Sequence, residues 1–127
     1  MIKQYSIKTS KRNEFIDITL QVQDQVGEVT EGVVTVFVPH TTTGITINEN
    51  ADPDVPRDIL KKLAELIPQR DNYSHMEGNS DAHIKASLFG SSVRVIIKDG
   101  QLLLGTWQSI FFCEFDGPRT RNFYVQV

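Results

Sequence analysis

The chain has 127 residues, 39% of them hydrophobic and 23% charged, enough for one domain whose core needs no disulfide staples. That apolar fraction excludes a disordered chain, and five prolines with eight glycines exclude a low-complexity one. Thirteen basic against sixteen acidic residues give a formal charge of −3, without the positive potential that phosphate-backbone binding demands, so nucleic acid is not an expected partner.

Met1 to Asn13 alternates polar and apolar residues and lacks the apolar stretch of a signal peptide, so a cytoplasmic location is expected. Within it, Gln4 to Thr9 predicts an edge strand. Phe15 to Val22 supports two patterns: Ile16, Ile18, Leu20 and Val22 fit a strand, whereas Ile18, Val22, Val26 and Val29 fit a helical stripe. The preferred reading is a short strand, then a helix with Thr19 as N-cap that closes before Gly32. Val33 to Val38 is apolar at nearly every position, which predicts a central strand covered on both faces. A Thr-rich turn ending at Gly44 leads into extended Ile45-Thr46-Ile47.

Asp52, Pro53, Asp54 and Pro56 then mark a helix start with an Asp cap and proline in the first turn. Val55, Ile59, Leu63 and Leu66 continue it at helical spacing up to Pro68. A second helix is expected from about Ser80 to Phe89, capped by Asn79, Ser80 or Asp81 and ended by Gly90. Val93 to Ile97 and Leu102 to Leu104 predict a hairpin, because Asp99-Gly100 suits the positive φ angles of a type I′ turn. Trp107 to Phe115 and Asn122 to Val127 supply two further strands around Asp116-Gly117-Pro118-Arg119. Even the longest apolar runs, such as Ile110-Phe111-Phe112-Cys113, fall far short of the roughly 20 residues a membrane helix needs. The sum is a single compact α+β domain over residues 1–127, with antiparallel or mixed sheets in a sandwich-like arrangement and about three helices.

All three histidines fall in segments that periodicity assigns to loops or helix ends: His40 after the central strand, His75 and His83 around the second helix start. Neutral imidazole is the commonest nitrogen ligand of divalent metals, and three histidines leave an open coordination position, although no familiar metal spacing is present. The structural alternative makes each a surface or turn residue. Glu49, Asp52 and Asp54 follow the Thr46–Asn50 strand; Asp52 and Asp54 read as caps, leaving Glu49 as the candidate general base or metal partner. Gly90-Ser91-Ser92 resembles a turn that offers backbone N–H groups to an anion, a common feature. Arg119 and Arg121 flank the last turn and are able to fork onto phosphate or carboxylate, unless they are merely solvated.

Alternation places Trp107, Phe111, Cys113 and Phe115 on one face of their strand and Gln108, Ile110, Phe112 and Glu114 on the other. Cys113 is then inert core, and as the only cysteine it fits a reducing compartment. Glu114 is the outlier, since a carboxylate in so apolar a strand needs a partner, which Arg119 or Arg121 is placed to supply.

Several segments in order resemble one family. They are Phe37-Val38-Pro39-His40-Thr41-Thr42, Ile47-Asn48-Glu49-Asn50-Ala51-Asp52-Pro53, Tyr73-Ser74-His75, Gly78 to Lys85, Leu88 to Ser92, Gly100 to Gln108, and Glu114 to Arg119. Together they are similar to the YjbQ-like family and cover almost the whole chain. The resemblance implies a compact α+β domain assembled as a homotrimer, with His40, His75 and His83 gathered in a polar pocket and Glu49 nearby. It implies a metal-assisted enzyme on a small phosphorylated molecule, of which one form is a secondary thiamine-phosphate synthase joining a pyrimidine methyl diphosphate to a thiazole phosphate. In that reading His40, His75 and His83 hold a divalent cation, zinc or magnesium, or contact the phosphate as imidazolium. Glu49 with His40 and His83 carries the chemistry. Thr41, Thr42, Asn79 and Arg119 bind substrate, and Trp107 is a stacking surface unless it is core. The rival reading is a non-catalytic homotrimer that binds a small anionic metabolite or a protein partner.

Overall fold

The computed structural model describes residues Met1–Val127. Eight strands and three helices follow one another as β1 (Ile2–Lys8), β2 (Glu14–Asp17), α1 (Thr19–Val26), β3 (Glu31–Phe37), β4 (Thr43–Glu49), α2 (Asp54–Leu66), α3 (Ser80–Phe89), β5 (Ser92–Lys98), β6 (Gln101–Leu102), β7 (Gln108–Glu114) and β8 (Thr120–Gln126). The strands form a five-stranded sheet in the order β1-β8-β3-β5-β6 and a three-stranded sheet in the order β2-β7-β4. Every pairing is antiparallel. The single α+β domain expected from the sequence is what forms, with β1 at a sheet edge and β3 at a sheet centre.

The two sheets face each other across a core of aliphatic and aromatic side chains. Val34, Val36, Val95, Ile97, Phe123 and Val125 come from the larger sheet, Ile45, Ile110 and Phe112 from the smaller, and Ile18, Val22 and Val26 from α1. The other face of the small sheet is covered by α3, whose Ala82 and Ala86 pack on Phe111, Cys113 and Phe115. Because β7 lies between these two apolar layers, Ile110 to Phe115 are all buried. The alternation within that strand assigns its two faces as expected.

Three local expectations are corrected. The helix α1 starts at Thr19, but Ile18 holds the N-cap position without a side-chain cap, and Asp17 Oδ1 accepts from the backbone N–H and the hydroxyl of Thr19 at 2.9 and 2.6 Å. Thr19 Oγ1 is instead used to accept from the N–H of Ile110 at 2.9 Å, tying α1 to β7. This helix closes before Gly32 as expected, but already at Val26 because Gly27 adopts φ +57°, so Val29 of the expected stripe lies outside it. Finally, β3 is covered on one face only: Val34 and Val36 are buried, while Val33 and Phe37 remain 40% and 43% exposed.

The turn chemistry otherwise follows the residues. Asp99 and Gly100 both have positive φ, as a type I′ hairpin requires. Asp52 Oδ1 accepts from the N–H of Asp54 at 2.9 Å and opens α2. Gly90, at φ +86°, ends α3. Next to it Gly44 allows β4 to pass against α3, since a Cβ there would lie 2.7 Å from Phe89 Cβ and 3.2 Å from the Gly90 oxygen. Gly44→Ala is therefore expected to overpack this contact and cost about 1–3 kcal/mol. A lowered urea midpoint at unchanged slope is the measurement that checks it.

Candidate functional site

One end of the small sheet meets the β3–β4 loop, the start of α3 and the β7–β8 turn. A buried ion pair anchors this junction. Glu114, wholly buried at the end of β7, takes Arg121 Nη2 at 2.6 Å and Nε at 2.8 Å. The Thr9 hydroxyl donates to the same carboxylate at 2.8 Å, and the N–H groups of Phe115 and Asp116 add two more bonds. Arg121 Nη2 also donates to Thr42 Oγ1 at 2.7 Å. Of the two candidate partners for Glu114, Arg121 supplies the charge; Arg119 turns outward and pairs with Asp116 through Nη2 at 3.1 Å.

A second ionic cluster holds the start of α3 and escapes sequence reasoning. Asp81 is buried and meets Lys85 Nζ at 3.1 Å and Arg12 Nη2 at 2.8 Å. Arg12 reaches on to Asp116 at 3.5 Å. The one legible signal is that Asp81 and Lys85 stand four residues apart on a helix; the third member comes from the β1–β2 loop.

On this base three recesses open side by side, and half-buried His83 borders all of them. The first, of about 400 Å³, is lined by Tyr73, Ser74, His75, Ser80, His83 and Ile84. There the His75 and His83 rings stand edge to face with centroids 5.4 Å apart. His75 Nε2 lies 3.8 Å from Glu77 Oε2. The second, of about 420 Å³, has His40, Thr41, Thr43, His83, Ser87 and Ser91 in its wall. The third, of about 220 Å³, is polar throughout and includes Thr41, Thr42, Asn79, Asp116, Arg119 and Arg121. Two buried side-chain atoms here lack any partner, Thr43 Oγ1 in the second recess and Asn79 Oδ1 in the third.

His40 is fixed by the backbone. The N–H of Asn122 donates to its Nε2 at 2.9 Å. The Asn122 carbonyl lies 3.1 Å from the same Nε2, so the Asn122 backbone occupies this nitrogen in either tautomer and Nδ1 is the free ring nitrogen. Burial lowers the His40 pKa below 6.5, nearby Arg121 lowers it further, and the bond to the Asn122 carbonyl and Glu114 offset only part of this. The ring is therefore neutral at pH 7.

The histidines share one cleft, but not the ion site expected of them. No group of three or more His, Cys, Asp or Glu side chains converges in a way that would hold a metal. Nε2 of His40 is also already engaged by the Asn122 backbone. Within this chain the donor set does not fit a three-histidine metal centre.

Glu49 and Trp107 are not brought to the cleft. In the β4–β7 register Thr43 pairs with Glu114 at the cleft end, whereas Glu49 pairs with Gln108 at the other. Six residues of extended chain put Glu49 about 20 Å away. Trp107, beside Gln108, is 62% exposed, neither core nor cleft. In the Gly90 turn the Gly90 amide is already used, donating to Ala86 O at 2.9 Å. Cys113 is inert as expected, since burial pushes its thiol pKa well up. Thr43 and Ser87 are the cleft residues that sequence reasoning misses, and nothing in their local pattern distinguishes them.

A two-sheet α+β domain with a histidine-bordered cleft at one end of the small sheet is the class that fold and site define. Residues 3–127 match the family described as UPF0047 protein YjbQ-like, and the chain belongs to that family. It is 58% identical to UPF0047 protein MJ1081 of Methanocaldococcus jannaschii, over all of this chain and 94% of that one. It is 52% identical to YugU of Bacillus subtilis, over all of this chain and 98% of the relative. Among solved structures, an uncharacterised YjbQ/UPF0047 protein of Clostridium acetobutylicum has 59% identity and a TM-score of 0.96, covering 98% of both chains. A YbjQ-like protein of unknown function from Sulfolobus solfataricus, at 32% identity, has a TM-score of 0.93 over 98% of this chain and 94% of that one. The family is thus one of uncharacterised proteins. No helix of the chain is long and apolar enough to cross a membrane.

The Glu114–Arg121 pair has a measurable acid signature. Burial by itself raises the Glu114 pKa, but the bonds from Arg121, the Asp116 N–H and Thr9 outweigh it and hold the carboxyl below its ordinary 4.5. A folded pKa below the unfolded one gives stability that is complete above about pH 4.5 and is lost as pH falls through the folded value. Glu114→Gln is expected to cost about 3–5 kcal/mol at neutral pH, because it leaves Arg121 buried without a counter-charge. It also flattens the acid limb, leaving the share due to Asp81 and Asp17, whose pKa values are lowered in the same sense. Urea unfolding of both proteins across the acid range measures the two effects.

Proposed function

We propose that the protein is an enzyme acting on a small phosphorylated molecule, bound in the cleft that His83 borders on three sides. The observation that carries this reading is the shared position of His83. One neighbouring recess holds Arg119 and Asn79, while another holds Tyr73, Ile84 and a second imidazole. Such a cleft suits a ligand with a charged end and a less polar one. Arg119 donates to Asp116 through Nε and Nη2, which leaves Nη1 without a partner and available to a phosphate oxygen. The guanidinium charges are already balanced by Asp116 and Glu114, so the phosphate is held by directed donors, among them Arg119 Nη1 and the Thr41 hydroxyl. His83 stands where a proton is transferred between the two ends.

Within that class, the reaction to try first joins a pyrimidine methyl diphosphate to a thiazole phosphate, giving thiamine phosphate and pyrophosphate. The resemblance alone points to it. Added zinc or magnesium belongs in the assay, although the donors within one chain do not form its site. His83→Ala and Arg119→Ala are each expected to weaken binding of a phosphate ester at least tenfold in calorimetric titration, and His83→Ala to abolish turnover. Binding that survives both changes would sink the reading.

A specific observation also favours the binding-protein alternative. The committed Nε2 of His40 removes one acid–base group from the cleft, and a homotrimer that binds an anionic metabolite without turnover needs none. Homotrimeric assembly draws support from the outer face of the large sheet. Val33 pairs with Ile96 and Phe37 with Tyr124, so these side chains share one surface. Ile96 is 56% exposed there, and a second copy of the chain is the occupant that would cover such a patch. Ile96→Glu is expected to shift the sedimentation mass from trimer to monomer while the fold persists by circular dichroism. A monomeric wild type would refute the assembly.

A further inference from the structure

The second recess is chemically unlike the third. Beside His40, Thr43 and His83 it is lined by Thr41, Ser87 and Ser91, with no Asp, Glu, Lys or Arg. The third contains two arginines and two carboxylates. A ligand that spans both places its charge on the Arg119 side and an uncharged portion against Thr43.

Thr43 supplies the unexplained feature. It is 1% exposed, yet its hydroxyl has no hydrogen-bond partner. A buried unpaired hydroxyl is destabilising, and valine would fill the same space without that penalty. Packing therefore does not account for the oxygen. The walls around it are held by backbone bonds: Val38 N–H donates to Ser91 O at 2.8 Å and Ile45 N–H to Gly90 O at 3.1 Å. The Ser87 hydroxyl is turned onto His83 O at 2.8 Å. His40 has Nε2 occupied by the Asn122 backbone, so its free polar atom is Nδ1, which donates or accepts according to the tautomer. The recess thus pairs a hydroxyl that donates or accepts with an imidazole nitrogen held by the Asn122 backbone.

We infer that this recess is a second subsite, which receives a neutral oxygen (a hydroxyl or carbonyl) of the molecule whose phosphate lies beside Arg119, with Thr43 as a specificity-determining residue. The inference rests on the proposed function for the phosphate end only; the subsite itself rests on Thr43 and His40. The ligand is then a hydroxylated or carbonyl-bearing phosphate ester rather than a simple phosphate.

The test uses ribose 5-phosphate, ribose and inorganic phosphate as probes, titrated against the wild type, Thr43→Val and Thr43→Ser. Thr43→Val is expected to weaken ribose 5-phosphate about tenfold, the scale of one hydrogen bond, and to leave inorganic phosphate unchanged. Thr43→Ser keeps the hydroxyl and restores the affinity. Without ligand, Thr43→Val melts no lower than the wild type. If Thr43→Val binds every probe as the wild type does, or melts lower and loses inorganic phosphate in parallel, the subsite is overturned and Thr43 is structural. Ribose binding that depends on Thr43, with no response to any phosphate, upholds the subsite and overturns the phosphate reading. Inorganic phosphate bound while both sugars fail does the reverse.

Discussion

Glu114 and Arg121 belong to different sheets, and their contact fixes how the two halves of the molecule meet. Glu114 ends β7 of the small sheet, while Arg121 opens β8 of the large one. Between them Thr9 arrives from the end of β1 and Thr42 from the start of β4. Two buried charges are tolerable only when every oxygen and guanidinium hydrogen is matched, and here the carboxylate accepts from arginine, a hydroxyl and two backbone amides. Such a network admits few alternatives, so it holds register across the sandwich where apolar contacts alone would permit sliding.

The cleft is a consequence of that junction. Thr42, fixed by Arg121, aims the Thr41-Thr42-Thr43 run past α3. The Asn122 amide, one residue beyond Arg121, locks the His40 ring. On the opposite side Asp81, Lys85 and Arg12 hold the first turns of α3, and these carry Asn79 and His83. The polar cleft is therefore bordered by two ionic clusters, each built on a buried carboxylate. Rigid support of this kind lets Thr43 Oγ1 and Asn79 Oδ1 remain unpaired in the chain without the walls relaxing to satisfy them.

The features legible from residues were those with a local cause. The α3 boundaries, the Asp99-Gly100 hairpin, the Asp52 start of α2 and the two faces of β7 all depend on neighbours within a few positions. Other features depend on a distant partner. Thr19 has the chemistry of an N-cap, yet it becomes the first helical residue and its hydroxyl is drawn to the Ile110 amide. The valine run of β3 has the composition of a strand covered twice, yet nothing within the chain covers its outer face. Glu49 and Thr43 are six residues apart in one strand, and extended backbone converts that small interval into opposite ends of a sheet.

One α+β domain, the placing of most strands and helices, an inert Cys113 and the need of Glu114 for an arginine are all encoded locally in the chain. Each of these follows from periodicity, turn chemistry or the cost of burying a charge. Only the tertiary structure decided which arginine answers Glu114 and that His83 stands among three recesses. It also decided that His40 presents Nδ1, that Thr43 keeps an unpaired hydroxyl, and that Glu49 and Trp107 lie elsewhere. Those outcomes depend on contacts between residues some 80 positions apart, as with His40 and Asn122, and sheet register rather than local preference sets them.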